Sequence, residues 1–268
     1  MLGISIRANW DFEKVLNTIF DLNIDICEIQ LDNPIFKFQK HRKKAIKLID
    51  NLYSSDLLLS FHLSFIDVNI ASLDNRMRYY TSKLLKKEIR FVKNWDPVYV
   101  VIHTGKISDT FYQIPSIKEK AHKQQIKTLS ELIKICDYNS ILLAIENRQK
   151  STTAGLIENA NDIQYYSQKL PKLHFILDIG HLNTFYTDSS AILGDIKVFC
   201  DFPIIALHLS NNFGKDTHES LEEGTISFKS LFSKVPDFRK KYLIVENKSY
   251  NSALQSLDFL LNTISRTS

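Results

Sequence analysis

Short, almost wholly apolar, β-branched runs recur through this chain at a nearly even interval, and that repeat limits the fold more than any other feature. They lie at 3–7 (GISIR), 24–31 (IDICEIQL), 57–63 (LLLSFHL), 98–103 (VYVVIH), 141–146 (ILLAIE), 173–178 (LHFILD), 204–209 (IIALHL) and 242–246 (YLIVE). A half-exposed antiparallel strand alternates apolar and polar residues, whereas runs this continuous read as strands buried on both faces. The segments between them have helical periodicity. Residues 12–20 place Val15, Leu16, Ile19 and Phe20 on one face, and 41–53 do the same with Ala45, Leu48, Ile49 and Leu52. Further helices are predicted at 84–95, 116–136, 161–170, 191–199, 228–235 and 253–264. Asn9 or Asp11, Ser116 with Glu119 three residues on, and Ser252 are the expected N-terminal caps.

Eight strands alternating with eight helices in 268 residues come to about 33 residues per unit, the size of a βα repeat. The predicted fold is a (β/α)8 TIM barrel forming one domain over 1–268. A doubly wound open sheet is the competitor. When such a sheet binds nucleotides it carries a glycine-rich turn after its first strand, and here that turn reads RANWDF. With 44% hydrophobic and 24% charged residues, disorder is excluded. No apolar run reaches the length of a membrane span, and the start MLGISIRANWDFEK has no basic region leading into an apolar one, so a cytoplasmic location is expected. Cys27, Cys136 and Cys200 are odd in number, with no CxxC pair, and read as small core residues. The net charge of +4 permits an anionic partner without requiring one, and no obligate protein partner is implied.

The acids and histidines fall in phase with this repeat. The third run ends in His62, the fourth in His103, the fifth in Glu146 and the sixth in Asp178, with His181 just beyond. The seventh ends around His208, with Asp216 and His218 in the loop that follows, and the eighth ends in Glu246. Successive strand-end residues are 41, 43, 32, 30 and 38 positions apart, close to one βα unit each. In a barrel these ends meet at the C-terminal mouth, where the chemistry of the fold takes place. One histidine ending an apolar strand is ordinarily a packing residue. Nine ligand-type side chains in phase are another matter, because burying them together without cations costs several kcal/mol, on the order of what unpaired buried charge costs. Imidazole nitrogen mixed with carboxylate oxygen suits zinc, with manganese or iron as possible substitutes, and nine ligands exceed what one tetrahedral ion takes. His41, His122 and His174 lie away from this rim and read as structural or solvated.

The motifs FHLSF, VVIHTG, LAIENR, LDIGHLN, HLSNNFGKDTH, LEEGTISF and IVENK make the chain resemble the endonuclease IV family of AP endonucleases, within the xylose isomerase-like TIM barrel superfamily. That resemblance implies a three-zinc site. His62, His103 and Glu146 would hold one ion, Glu146 bridging to a second completed by Asp178, His208 and Glu246, and His181, Asp216 and His218 would hold the third. It also implies zinc-dependent hydrolysis of the phosphodiester 5′ to an abasic site in double-stranded DNA, as in base excision repair. Glu146 and Glu246 would be the catalytic carboxylates. Arg7, Phe36, Lys37, Phe65, Arg76 and Lys106 are the expected DNA or substrate contacts, with Lys40 and Arg78 beside them. The chain departs from the family pattern at Ser5 in the first strand, at the RANWDF turn, at Ile35 after the second strand, at Phe65, at Ser210-Asn211 and at Thr217. The alternative is a sugar or sugar-phosphate isomerase or epimerase. It would use one divalent ion at Glu146, Asp178, His208 and Glu246, with the two glutamates exchanging a proton beside a sugar carbonyl.

Overall fold

The computed structural model describes residues 1–37, 39–186 and 189–265, without the side chains of 17, 39, 40, 189, 190, 264 and 265. Each of the eight apolar runs forms one strand of a closed parallel barrel: β1 (Leu2–Ile6), β2 (Ile26–Gln30), β3 (Leu58–His62), β4 (Tyr99–His103), β5 (Leu142–Glu146), β6 (His174–Asp178), β7 (Ile204–Leu209) and β8 (Tyr242–Val245). The strands follow one another in sequence order, and β8 closes on β1 through Leu2↔Leu243, Gly3↔Ile244 and Ile4↔Val245. Among the described residues no helix is long and apolar enough to cross a membrane.

Among the described residues, eight helices of seven or more residues surround the barrel: α1 (Phe12–Ile19), α2 (Gln39–Tyr53), α3 (Asn75–Val92), α4 (Pro115–Tyr138), α5 (Ala160–Lys169), α6 (Ser189–Asp195), α7 (Phe228–Lys234) and α8 (Tyr250–Ser265). Helix α3 begins nine residues before its predicted start. Asp74 caps it through the Arg76 N–H, and Thr81, Ser82 and Arg78 are buried on its first turns, where an apolar stripe gives no signal. Asp11 caps α1, as one of the two candidates. Two cap expectations are corrected. Helix α4 begins at Pro115 after Ile114, with no side-chain cap, since proline at the first position has no N–H to satisfy. At α8 the cap is Ser249, whose Oγ accepts the Ser252 N–H while Ser252 Oγ accepts the Ser249 N–H. Cys27 and Cys136 are buried, but Cys200 is exposed at the end of a 3-10 turn, so it is not a core residue.

Alternation along the strands divides the apolar residues into two sets. One packs between barrel and helices and includes Ile4, Ile29, Phe61, Ile102, Leu143 and Leu207. The other fills the barrel interior with Ile26, Tyr99, Val101, Ala144, Ile176, Ala206 and Ile244. Two residues beyond Val101, Ala144, Ile176, Ala206 and Ile244, on the same inward parity, come His103, Glu146, Asp178, His208 and Glu246. The acid–imidazole rim is thus the polar layer directly above an apolar plug.

A two-stranded antiparallel sheet, Lys106–Ser108 with Thr153–Gly155, sits on the loops after β4 and β5 and was not predicted; three-residue strands are too short to show periodicity. At the opposite end Gly3 closes the barrel floor. A Cβ there would stand 2.5 Å from Ile26 Cγ2, 2.6 Å from Ile26 O and 2.8 Å from Ile244 Cδ1. Gly3→Ala is therefore expected to lower the free energy of unfolding by about 1–3 kcal/mol through overpacking. Urea denaturation checks this, and an unchanged midpoint would mean the floor has slack.

Candidate metal centre

Glu146, at the end of β5, is buried, and four imidazoles converge on its two oxygens. His62 Nε2 and His103 Nε2 lie 3.2 and 3.1 Å from Oε2; His208 Nδ1 and His181 Nδ1 lie 3.1 and 3.5 Å from Oε1. Burial alone would raise this carboxyl's pKa, and the His208 and His103 charges more than offset it, holding it well below the usual carboxylate range. Glu246, just past β8, is 3.0 Å from His208 Nδ1 and receives the Gln30 amide at 2.7 Å. Asp178, fully buried at the end of β6, caps the short helix Ile179–Asn183 by accepting the His181 N–H at 2.7 Å. That helix brings His181 back over the barrel. Gly180 permits the approach, since a Cβ there would stand 2.4 Å from Ser210 Oγ. Burial pushes Asp178 up to about 7, with the Glu146 and Glu246 charges adding to the rise and His181 opposing it.

The loop after β7 carries the remaining two side chains. Asp216 Oδ1 is 3.1 Å from His218 Nε2, Asp216 Oδ2 is 3.6 Å from His181 Nε2, and Gln149 donates to Asp216 at 3.0 Å. His218 has φ +51°, in the left-handed region that non-glycine residues rarely occupy. Its Nδ1–H donates to Glu246 O at 2.8 Å and its carbonyl accepts the Lys248 N–H, so the loop is tied to the end of β8.

Three groups emerge whose ligand atoms all lie within 4.8 Å of one another: His62, His103 and Glu146; His181, Asp216 and His218; and Glu146, Asp178, His208 and Glu246. Each group can hold a divalent ion. The hydrogen bonds fit that use. His62, His181 and His218 each donate Nδ1–H to a backbone carbonyl, of Leu63 (2.9 Å), Asn147 (2.9 Å) and Glu246 (2.8 Å), which makes Nε2 the nitrogen that a cation would take. His208 is turned the other way, its Nε2 3.2 Å from Glu28 and its Nδ1 facing Glu146 and Glu246. Asp178 Oδ2 and Asp216 Oδ1 are buried with no hydrogen-bond partner, as expected of oxygens kept for a metal. His41 is exposed and His122 is paired with Tyr166, and neither joins a group. His174 starts β6, at the far end from Asp178.

The residues expected to contact substrate divide. Arg7, Phe65 and Lys106 line a cavity of about 230 Å³ over the rim, together with Arg148, Gln149 and the acids and imidazoles; Phe65 stacks on His103 at 4.6 Å. Phe36 and Lys37 instead face a separate recess beside α3, where Phe36 meets Phe12 edge-on and Lys37 is held by Asp32 at 2.8 Å. Arg76 is solvent-facing and paired with Asp74, and Arg78 is buried against Thr128 and Glu131. The Lys40 side chain lies outside the described residues. Among the described residues of this set, only Arg7, Phe65 and Lys106 reach the mouth. Sequence reasoning missed Glu28, Gln30, Asn147, Arg148 and Gln149. For β2 a signal existed: Glu28 and Gln30 are polar, two apart, in an otherwise apolar run, so they share the inward face.

A chain that is 27% identical over 255 residues, covering 91% of this chain and 82% of its own length, is the uncharacterized protein MJ1311 of Methanocaldococcus jannaschii. Among solved structures, a D-tagatose 3-epimerase-like protein matches with TM-score 0.84 at 23% identity, over 99% of this chain and 97% of its own. The D-psicose 3-epimerase of Clostridium cellulolyticum H10, solved with D-tagatose, matches with TM-score 0.75 at 14% identity, over 99% and 98%. Further matches over nearly the whole chain are likewise sugar epimerases. The resemblance to the endonuclease IV family is corrected by these matches. With it falls the reading of the chain as a DNA-repair nuclease that hydrolyses duplex DNA at abasic sites, which the scattered contact residues also fail to support. The matching family model spans residues 16–263, and the chain belongs to the xylose isomerase-like TIM barrel family.

Proposed function

We propose that this protein is a metal-dependent epimerase or isomerase of a small sugar. The observation that carries the reading is the group Glu146, Asp178, His208 and Glu246, three carboxylates and one imidazole, of which Glu146 and Glu246 line a cavity of about 230 Å³ while Asp178 and His208 are buried beneath it. That space is below the roughly 300–1,000 Å³ of clefts that take drug-sized ligands, and suits a molecule the size of a monosaccharide. Solved structures of matching architecture include D-psicose 3-epimerases, which supports the same class of substrate.

These four residues would hold one divalent ion, and a mixed imidazole and carboxylate set suits manganese, zinc or iron. The other two groups offer places for further ions, up to three in all. When bound, the ion supplies Lewis-acid polarisation of the sugar's carbonyl and neighbouring hydroxyl. The protein supplies the proton chemistry. Glu146 and Glu246 both line the cavity and both approach His208 Nδ1, so their carboxylates flank one point. One removes the proton from the carbon beside the carbonyl, and the other returns a proton. Return to the same carbon from the opposite face is epimerisation; return to the neighbouring carbon is isomerisation. Gln30 holds Glu246 Oε1, and its own carbonyl accepts the Ala8 N–H at 2.9 Å, which fixes the plane of the Glu246 carboxylate. Phe65, braced against His103, gives the cavity an apolar wall that keeps water from the reacting carbon.

Incubation of the metal-loaded protein with ketoses and aldoses in deuterated water should place deuterium on the carbon beside the carbonyl. Glu146→Gln and Glu246→Gln should each slow that exchange by about 100- to 10,000-fold. No exchange with any sugar of the panel, with metal confirmed bound, would sink the reading.

Metal binding should tighten as pH rises. In the metal-free protein His208 and His181 are held well above the ordinary histidine range, and His62 above it. Burial opposes the rise in each case, and the neighbouring carboxylates outweigh it. These rings therefore carry protons near neutrality that an incoming ion must displace, which raises affinity by about tenfold per pH unit for each proton released. Calorimetry in two buffers of different ionisation enthalpy reads the release directly; identical heats in both would contradict it.

A further inference from the structure

The short antiparallel sheet on the rim contributes nothing to the acid–imidazole group, yet Lys106 on one of its strands and Arg148 against the other both line the cavity above that group. Lys106 is paired across the sheet with Gly155, and the stem of Arg148 lies on that glycine. A Cβ at position 155 would stand 2.9 Å from Arg148 Cβ and 3.0 Å from its Cδ, so only glycine lets the arginine cross the strand there. Both cations rest on fixed backbone. The Lys106 N–H donates to Asn69 Oδ1 at 3.2 Å and its carbonyl accepts the Asn69 amide at 2.8 Å. The Arg148 N–H donates to Ile157 O at 2.9 Å, and its Nη2 to Thr153 Oγ1 at 3.1 Å.

Lys106 and Arg148 line the metal-site cavity, and Arg7 lines it too. Among the described residues none of the three makes an ion pair. The charge of Glu158 acts on Arg148 without forming an ion pair with it, and Glu158 Oε1 accepts the Gly155 N–H at 2.6 Å. Arg148 Nε is buried with no partner. The acids of the cavity, Glu146, Asp216 and Glu246, are taken up by imidazoles. A neutral sugar would leave Lys106 with no acid partner and Arg148 with only the unpaired charge of Glu158 nearby, in a half-buried place.

We infer that Lys106 and Arg148 form a phosphate clamp, and that the sugar turned over at this site carries a phosphate monoester at the end away from the reacting carbon. The sugar half of this inference rests on the epimerase or isomerase reading; the clamp does not. Phosphate is favoured over a single carboxylate because a guanidinium fork beside an ammonium point charge matches a dianion with several acceptor oxygens.

The test is calorimetric titration of the Mn2+-loaded protein with inorganic phosphate, D-fructose 6-phosphate, D-fructose and D-gluconate. The phosphate ester should bind more tightly than D-fructose. Lys106→Ala and Arg148→Ala should each weaken the ester by about tenfold or more, the loss of one charge-assisted contact. Arg148→Lys should weaken it less than Arg148→Ala. If Arg148→Ala fails to fold by circular dichroism, Lys106→Ala carries the test alone. Ester binding that is unchanged in these variants would put the phosphate on the ion instead and overturn the clamp. So would an ester no tighter than D-fructose, and D-gluconate binding above both phosphates would replace the phosphate with a sugar acid. Should the variants weaken the ester while no sugar exchanges a proton, the clamp stands and the reaction reading falls. Should sugars turn over while the variants leave ester binding untouched, only the clamp falls.

Discussion

One buried carboxylate organises this molecule's functional end. Glu146 has four imidazoles within 3.5 Å, contributed by β3, β4 and β7 and by the short helix after β6. An isolated buried carboxylate carries a desolvation penalty of several kcal/mol, on the order of what is lost when a buried pair is broken. Here that penalty is shared through a network in which every acid has an imidazole neighbour and every imidazole except His103 has its second nitrogen committed elsewhere among the described contacts. Such a network is high-stakes: removing Glu146 would leave the four rings facing one another.

Barrel geometry makes the convergence possible. On five strands an inward apolar residue, Val101, Ala144, Ile176, Ala206 or Ile244, is followed two residues on by an inward acid or imidazole, and the stagger of the strands sets Glu146 opposite Ile176 and His208 opposite Ile244. The pairings His103↔Glu146 and Asp178↔His208 are direct neighbours in the ladder. Below them Glu28, level with Ser5 and Ser60, reaches His208 from the far side and turns that ring opposite to the other three. The loops then finish the site: Asn147 holds both Asp178 and His181, and Gln149 holds Asp216.

Much of this was legible in the chain. All eight strands lie within or against their predicted runs, because buried parallel strands leave an uninterrupted apolar signature. The rim positions of His62, His103, Glu146, Asp178 and His208 were readable for the same reason, since each ends such a run. What escaped was local and short. The start of α3 is polar because Arg78 and Ser82 bond to Thr128 and Glu131 on α4, and Thr81 Oγ1 accepts the Asn69 N–H from the preceding loop, instead of showing a stripe. The sheet of Lys106–Ser108 and Thr153–Gly155 joins segments about 45 residues apart that carry no mutual signal. Phe36 and Lys37 follow β2 and looked like mouth residues, but the chain turns outward there and Asp32 draws Lys37 to the side of the barrel.

The amino-acid sequence by itself determined the repeat, the barrel and the nine acid and imidazole side chains placed in phase with it, because strand period and βα length are local properties that each unit expresses on its own. Which side chains come close enough to share an ion, which way each imidazole faces, and that the cavity above them is small and edged by Lys106 and Arg148 were decided only when the barrel closed. Those features depend on distances between strands that no single unit contains, and they distinguish a small cavity from an open surface, either of which the same ligand motifs would have served equally well on paper.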